Sequence, residues 1–177
     1  MSRETGAPRC HTSCHETRTW QPLPPFSLPL INFRGAQGDA SPATLQGQPF
    51  VLFVYPRDDT PGCTVEVCQF RDLYLQFRDI GVEVLGLSRD GVKSHRDFIR
   101  KQEIPFPLLC DEKREVIGAW GLIYEAKMYG KPVTKVARTT YFVDGEGIVR
   151  QIWEDVAPPG HAAQVLEFAR ELVGAAK

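Results

Sequence analysis

Two cysteines five residues apart, Cys63 and Cys68, follow a turn-forming run, Pro56-Arg-Asp-Asp-Thr-Pro-Gly62, and mark the start of a stretch free of Gly and Pro, Thr64 to Ile80. That stretch is rich in Leu, Phe and Arg and stops at Gly81, so it reads as a helix with a left-handed terminator. Cys63 then sits at the helix N-terminus, with Pro61-Gly62 for the sharp turn and Thr60 or Thr64 for the cap. Unpaired N–H groups and the positive end of the helix dipole favour a thiolate there. The thiolate is the reactive form, and such settings bring a free cysteine from about 8.5 to between about 3.5 and 7.5. An isolated buried cysteine is more often an inert core filler. The turn chemistry and the second cysteine favour the reactive reading here.

The spacing has a mechanical consequence. In an unbroken helix, residues i and i+5 point about 140° apart and their Cα atoms are separated by about 8.6 Å. A disulfide spans less than about 7 Å. If these two sulfurs pair, the first helical turns must unwind, so the element has two forms: helical with free thiols, and locally unfolded when oxidised.

The flanking segments supply the frame. Pro49 to Tyr55 is a β-branched and aromatic run of the kind that fills a strand covered on both faces. Phe26 to Gly47 reads as a hairpin or two short strands at the core edge, Val82 to Ser88 as a second buried strand, and Val92 to Gln102 as a surface helix. The two strands joined through a helix imply a right-handed parallel βαβ unit. Pro105-Phe-Pro-Leu-Leu-Cys110 is too proline-broken for a central strand, a short helix is expected from Asp111 to about Trp120, and Gly121 to Pro132 reads as a loop. Ala137–Val143 and Gly147–Trp153 flank Asp144-Gly-Glu-Gly147, a hairpin signal, and His161 to Val173 closes the chain as a helix. This order is that of a thioredoxin-like α/β fold, a central mixed sheet flanked by helices on both faces.

Composition excludes several function classes. The 177 residues, 42% hydrophobic, suit one globular domain, and a formal charge of −1 gives no sign of nucleic-acid binding. No apolar run approaches the ~18 residues that span a bilayer. Met1-Ser-Arg-Glu-Thr-Gly6 lacks the apolar core of a signal peptide, so a cytoplasmic protein is expected. Five cysteines in that compartment point to thiols or catalytic pairs. Residues 1–24 read as a disordered extension to a domain spanning 25–177. The extension holds Cys10-His-Thr-Ser-Cys14-His15, which matches zinc and haem-attachment spacings poorly and is assigned no metal.

Pro56-x-x-x-Thr60-x-x-Cys63 resembles the active-site signature of the peroxiredoxins, and Thr60-Pro-Gly-Cys-Thr-x-Glu-x-Cys68 resembles their bacterioferritin-comigratory, Q-type class. The resemblance runs from about Pro25 to the C-terminal helix. It implies an antioxidant thiol peroxidase that uses neither cofactor nor metal. Cys63 would attack hydrogen peroxide or an organic hydroperoxide and become a sulfenic acid, and Cys68 would resolve it as an intramolecular disulfide. Thioredoxin or a similar dithiol protein would restore the thiols, and the class implies a monomer.

Arg138, at the head of a strand that resembles the family's arginine-bearing one, would fix positive charge at the sulfur. The Thr60 hydroxyl and first-turn N–H groups would donate to the peroxide, while Pro56 and Pro61 shield the sulfur beside Gly62. Glu66 matches the class motif and can orient an arginine, although an acid in a first helical turn is ordinary. Cys110 stands where the family often has serine and reads as a strand-end filler more than as a second resolver. Two other classes use the same residues. A thioredoxin-like reductase or peroxide-sensing relay shares the cysteine pair, although reductases usually bridge a Cys-x-x-Cys. A binding module on the same fold would leave the Pro56, Thr60, Cys63 and Arg138 set without a purpose.

Overall fold

The computed structural model describes residues 18–175. In chain order these form β1 (Leu28–Ile31), β2 (Gln37–Ala40), α1 (Pro42–Leu45), β3 (Phe50–Val54), α2 (Pro61–Asp79), β4 (Glu83–Ser88) and α3 (Val92–Gln102). They continue with β5 (Leu108–Cys110), α4 (Glu115–Ala119), β6 (Ile123–Met128), β7 (Lys131–Val136), β8 (Thr139–Val143), β9 (Val149–Trp153) and α5 (His161–Ala175). Seven strands make one sheet in the order β2-β1-β5-β4-β3-β8-β9, while β6 and β7 pair only with each other. The β3, β4 and β5 strands run parallel, and β8 lies antiparallel to β3.

Every residue of β3 is buried because each face of the sheet has its own core. Val51 and Phe53 point into a cluster with Phe70 of α2, Phe98 of α3 and Val165 of α5. Phe50, Leu52 and Val54 point the other way, among Phe26, Ile117 and Trp120. Alternation on β8 puts Phe142 on the α2 side with α5, where the Thr140 hydroxyl meets His161 Nε2 at 2.8 Å. The same two-residue period brings Arg138, just ahead of β8, to that side.

The α2 helix ends as its sequence demands. Gly81, at φ +76°, donates to the Arg78 carbonyl and Val82 to the Phe77 carbonyl, both at 2.9 Å, the paired bonds of a Schellman cap.

Several boundaries differ from expectation. The helix begins at Pro61, three residues before Thr64, because Pro at the first helical position needs no N–H partner. The β5 strand is internal, between β1 and β4. Prolines 105 and 107 precede its three strand residues, and Pro107 needs to supply only its carbonyl, which accepts from the Gly86 N–H of β4 at 3.2 Å. The short helix after it starts at Glu115, with the Asp111 carboxylate reaching forward to accept from the Glu115 and Ile117 N–H groups at 3.1 and 2.7 Å.

Gly121 to Pro132 is not a loop. It falls mostly within the β6–β7 hairpin, turned by Tyr129 and Gly130, which both have positive φ. Eight of its twelve strand residues are exposed and only Val136 is buried, so no alternating pattern announces it. The α1 turn, held by a Ser41–Thr44 capping box, was not expected either. Cys10 to His15 lie outside the described residues. Within the expected extension, Trp20 and Leu23 donate to the Val149 and Gly147 carbonyls at 2.7 and 3.0 Å, tying residues 20–23 to the edge of β9.

Candidate active site

Cys63 is the third residue of α2 and only 1% exposed. It leads a buried stripe, Cys63, Glu66, Val67, Phe70, Tyr74 and Phe77, at the spacing that turns one helical face to the sheet. Arg138 approaches that face from the neighbouring strand. Its Nη2 lies 3.4 Å from Cys63 Sγ, and its Nη1 donates to Glu66 Oε2. One guanidinium therefore bridges a sulfur and a carboxylate that sit one turn apart on the same helix.

Glu66 is 0% exposed, and its Oε1 has no hydrogen-bond partner. Burial pushes its carboxyl up to about 7, against the opposing pull of Arg138. Because the helix starts at Pro61, Glu66 lies in its second turn and is no ordinary first-turn acid. The signal was present in the sequence: a charged residue three positions after Cys63, inside an otherwise apolar stripe.

Gly62 completes the seat. A Cβ there would stand 3.3 Å from Arg138 Nη2 and 3.9 Å from Pro158 Cγ, so a side chain would press on the guanidinium. Pro56 is half-buried and ends the ladder after Tyr55, whose N–H still reaches the Leu87 carbonyl at 3.0 Å. Thr60 is the N-cap residue by backbone, accepting the Thr64 N–H at 2.8 Å. Its hydroxyl donates to the Arg57 carbonyl at 3.1 Å and makes no cap bond. Pro61 is exposed.

Sequence reasoning missed the cluster that holds this loop. Asp58 accepts from the Tyr55 hydroxyl at 2.6 Å and the Ser94 hydroxyl at 2.8 Å, and lies 2.7 Å from His95 Nδ1. His95 Nε2 faces the Leu109 carbonyl at 2.8 Å, and the Asp58 N–H donates to Asp90 at 2.8 Å. The ring thus bridges the Asp58 carboxylate on one nitrogen and the Leu109 carbonyl on the other. Burial, helped by Asp58, raises the Tyr55 hydroxyl well above its usual range and keeps it a donor. Asp58, Asp90 and His95 offer ligand atoms within 4.8 Å of one another, but Asp58 and His95 already spend theirs on these bonds. The set clamps the loop to the start of α3. His95 sits on a helix that reads as amphipathic surface, and no sequence signal marks it as 0% exposed.

The structure does not bring the second sulfur to the first. Cys68 lies on the α3 side of the helix, its Sγ 3.5 Å from Gln102 Oε1, and both thiols are free. Cys110, at the end of β5, is also free and buried. Burial, and then Asp58, Glu112 and Asp90, push its thiol up to about 12. His161 falls to about 4 through burial, with the Arg138 charge adding to the shift, so it is neutral near pH 7 and leaves the cationic role to Arg138.

Comparison with known proteins gives the family. The AhpC/TSA family model matches residues 20–152. Peroxiredoxin Bcp of Xanthomonas campestris is 41% identical over 148 residues, 82% of this chain and 89% of that protein. A solved structure of Xanthomonas campestris peroxiredoxin Q superposes with a TM-score of 0.74 at 39% identity, covering 82% of this chain and 91% of that one. The Xylella fastidiosa PrxQ structure reaches 0.80 at 32% identity, covering 92% and 99%. The chain belongs to the AhpC/TSA family and is a peroxiredoxin, a thiol peroxidase with a thioredoxin-like fold.

Proposed function

We propose that Cys63 is the sulfur that attacks the peroxide and that Arg138 is its electrostatic partner. The observation that carries this reading is the 3.4 Å contact between Arg138 Nη2 and a Cys63 Sγ held in the first turn of α2. The helix terminus and a permanently charged guanidinium both favour negative charge at that sulfur. The Cys63 thiolate attacks one peroxide oxygen. The O–O bond breaks, Cys63 becomes a sulfenic acid, and the other oxygen leaves as alkoxide or hydroxide and takes a proton. Arg138 and the first-turn N–H groups stabilise the charge as it moves to the leaving oxygen. Gly62 leaves room for the guanidinium, Glu66 aims it, and Pro56 and Thr60 shape the loop through which peroxide enters.

Cys68 then attacks the Cys63 sulfur. Because α2 is continuous from Pro61 to Asp79, this step requires its first turns to unwind. A dithiol protein, thioredoxin by family resemblance, restores both thiols. Hydrogen peroxide and organic hydroperoxides are the substrates in this reading, and one Xanthomonas campestris relative was crystallised in a study of its alkyl peroxide reduction activity. The protein acts as a cytoplasmic monomer without metal or cofactor; among the described residues no helix is long and apolar enough to cross a membrane.

Intact mass and free-thiol count after one equivalent of hydrogen peroxide test the assignment. Wild type is expected to lose two thiols and two hydrogens of mass, and Cys63→Ser to do neither. Oxygen uptake without thiol pairing would remove Cys68 from the resolving role. An unreactive wild type would overturn the whole reading.

A further inference from the structure

The segment of α2 that must unwind is tied at both margins to the last two residues of α3. Ahead of the helix, Asp59 receives Lys101 Nζ on its two carboxylate oxygens at 2.7 and 2.8 Å. Beyond the segment, Gln102 makes two contacts. Its Oε1 meets Cys68 Sγ at 3.5 Å, and its carbonyl accepts from Arg71 Nη1 at 2.8 Å. The Asp59–Lys101 pair is more than half exposed on each side, and such pairs contribute little. The Gln102 side-chain contact is half-buried and falls on the Cys68 thiol itself.

Two features make this more than packing. Cys63 and Cys68 point about 140° apart on an intact helix, so Gln102 holds the second sulfur on the face turned away from the first. An amide oxygen also accepts from S–H and repels a thiolate, whereas attack needs the thiolate.

We propose that Gln102 is a positioning residue for disulfide formation, a latch that keeps Cys68 wound against α3 and so sets how long the Cys63 sulfenic acid survives. The inference rests on the reading of Cys68 as the resolving cysteine. In the step concerned, Cys68 Sγ forms a bond to Cys63 Sγ, the Cys63 S–O bond breaks, and the departing hydroxide leaves as water with the Cys68 proton. A second peroxide molecule competes for the same sulfenate, adding an oxygen to give the sulfinate and leaving as water or alcohol. A slower release of Cys68 therefore means more sulfinate per turnover.

The test uses the full-length protein and rapid quenching with an alkylating agent, followed by mass spectrometry. Gln102→Leu removes the amide and keeps the backbone carbonyl for Arg71. Gln102→Asn draws the amide back by one methylene with less disturbance of packing. Both are expected to leave the first oxidation by hydrogen peroxide within about twofold of wild type and to speed disulfide formation about two- to tenfold, the worth of one hydrogen bond. Sulfinate yield at high peroxide should fall by the same factor. Disulfide formation at an unchanged or lower rate, with the first oxidation intact, overturns the latch; so does an equal change in both steps, which is the mark of a merely structural role. Peptide mapping of wild type separates the two readings. A disulfide from Cys63 to another cysteine sinks the resolving role of Cys68 and the latch with it, whereas a Cys63–Cys68 disulfide with unaltered kinetics in the variants sinks the latch alone.

Discussion

Cys63 and Cys110 are similarly starved of solvent, at 1% and 4% exposure, and both belong to the core cluster that includes Phe53 and Phe106. Their electrostatic surroundings are opposite. Cys63 lies at the positive end of a helix with a guanidinium against its sulfur. Cys110 faces Asp58, Asp90 and Glu112, and its thiol is pushed up to about 12. Burial alone disfavours ionisation of any thiol. In the proposed reading, the sign of the nearest fixed charges is what separates the two buried cysteines.

The largest test of that contrast removes the cation. Arg138→Met should cut kcat/KM for hydrogen peroxide about 10²- to 10³-fold, the usual cost of losing one preorganised donor at the reacting atoms. Stopped-flow peroxide consumption would measure it, and a loss of less than tenfold would mean that the helix terminus does most of the work.

Glu66 gives the next largest effect, in stability. Its folded-state value of about 7 exceeds the ordinary 4.5, so the folded protein holds this proton more tightly than the unfolded chain. Its contribution is fully present below 4.5 and is lost as pH rises through about 7. Across that window the stability of Glu66→Gln relative to wild type should improve by about 3 kcal/mol. Urea melts of both proteins on either side of the window check it, and a difference independent of pH would show that Arg138 fully compensates the buried carboxylate.

Gly62→Ala should lower peroxide turnover about tenfold, because the new methyl group meets the guanidinium and moves it by a fraction of an ångström. The smallest effect belongs to the other pole of the comparison. Cys110→Ala should cost about 1 kcal/mol of stability through a small cavity and leave turnover within about twofold. A collapse of activity in that variant would make Cys110 a participant and break the contrast.

The contrast was half legible in the sequence. Cys63 announced itself through local rules, a Pro-Gly turn feeding a helix, and such rules need only neighbouring residues. Glu66 was legible as a charge in an apolar stripe once the helix start was known, and the boundary error of three residues hid it as a first-turn acid. Arg138 was found by family pattern alone, since no local property separates it from the other basic residues. The Asp58–His95 clamp was not legible, because it joins a loop to a helix across the parallel crossover, 37 residues apart, and depends on a side-chain burial that amphipathic patterning does not report. The β6–β7 hairpin escaped for the opposite reason: with most of its strand residues exposed, nothing forces them to alternate.

The adjacency of β3 and β8 joins parts of the chain that are made at different times. Cys63 and Arg138 are 75 residues apart, so at ordinary elongation rates the ribosome adds the arginine about 4 to 15 s after the cysteine. During that interval the guanidinium is not yet beside the sulfur. An unfinished polypeptide thus lacks the contact between Arg138 and Cys63, and pairing of β8 with β3 is what completes it.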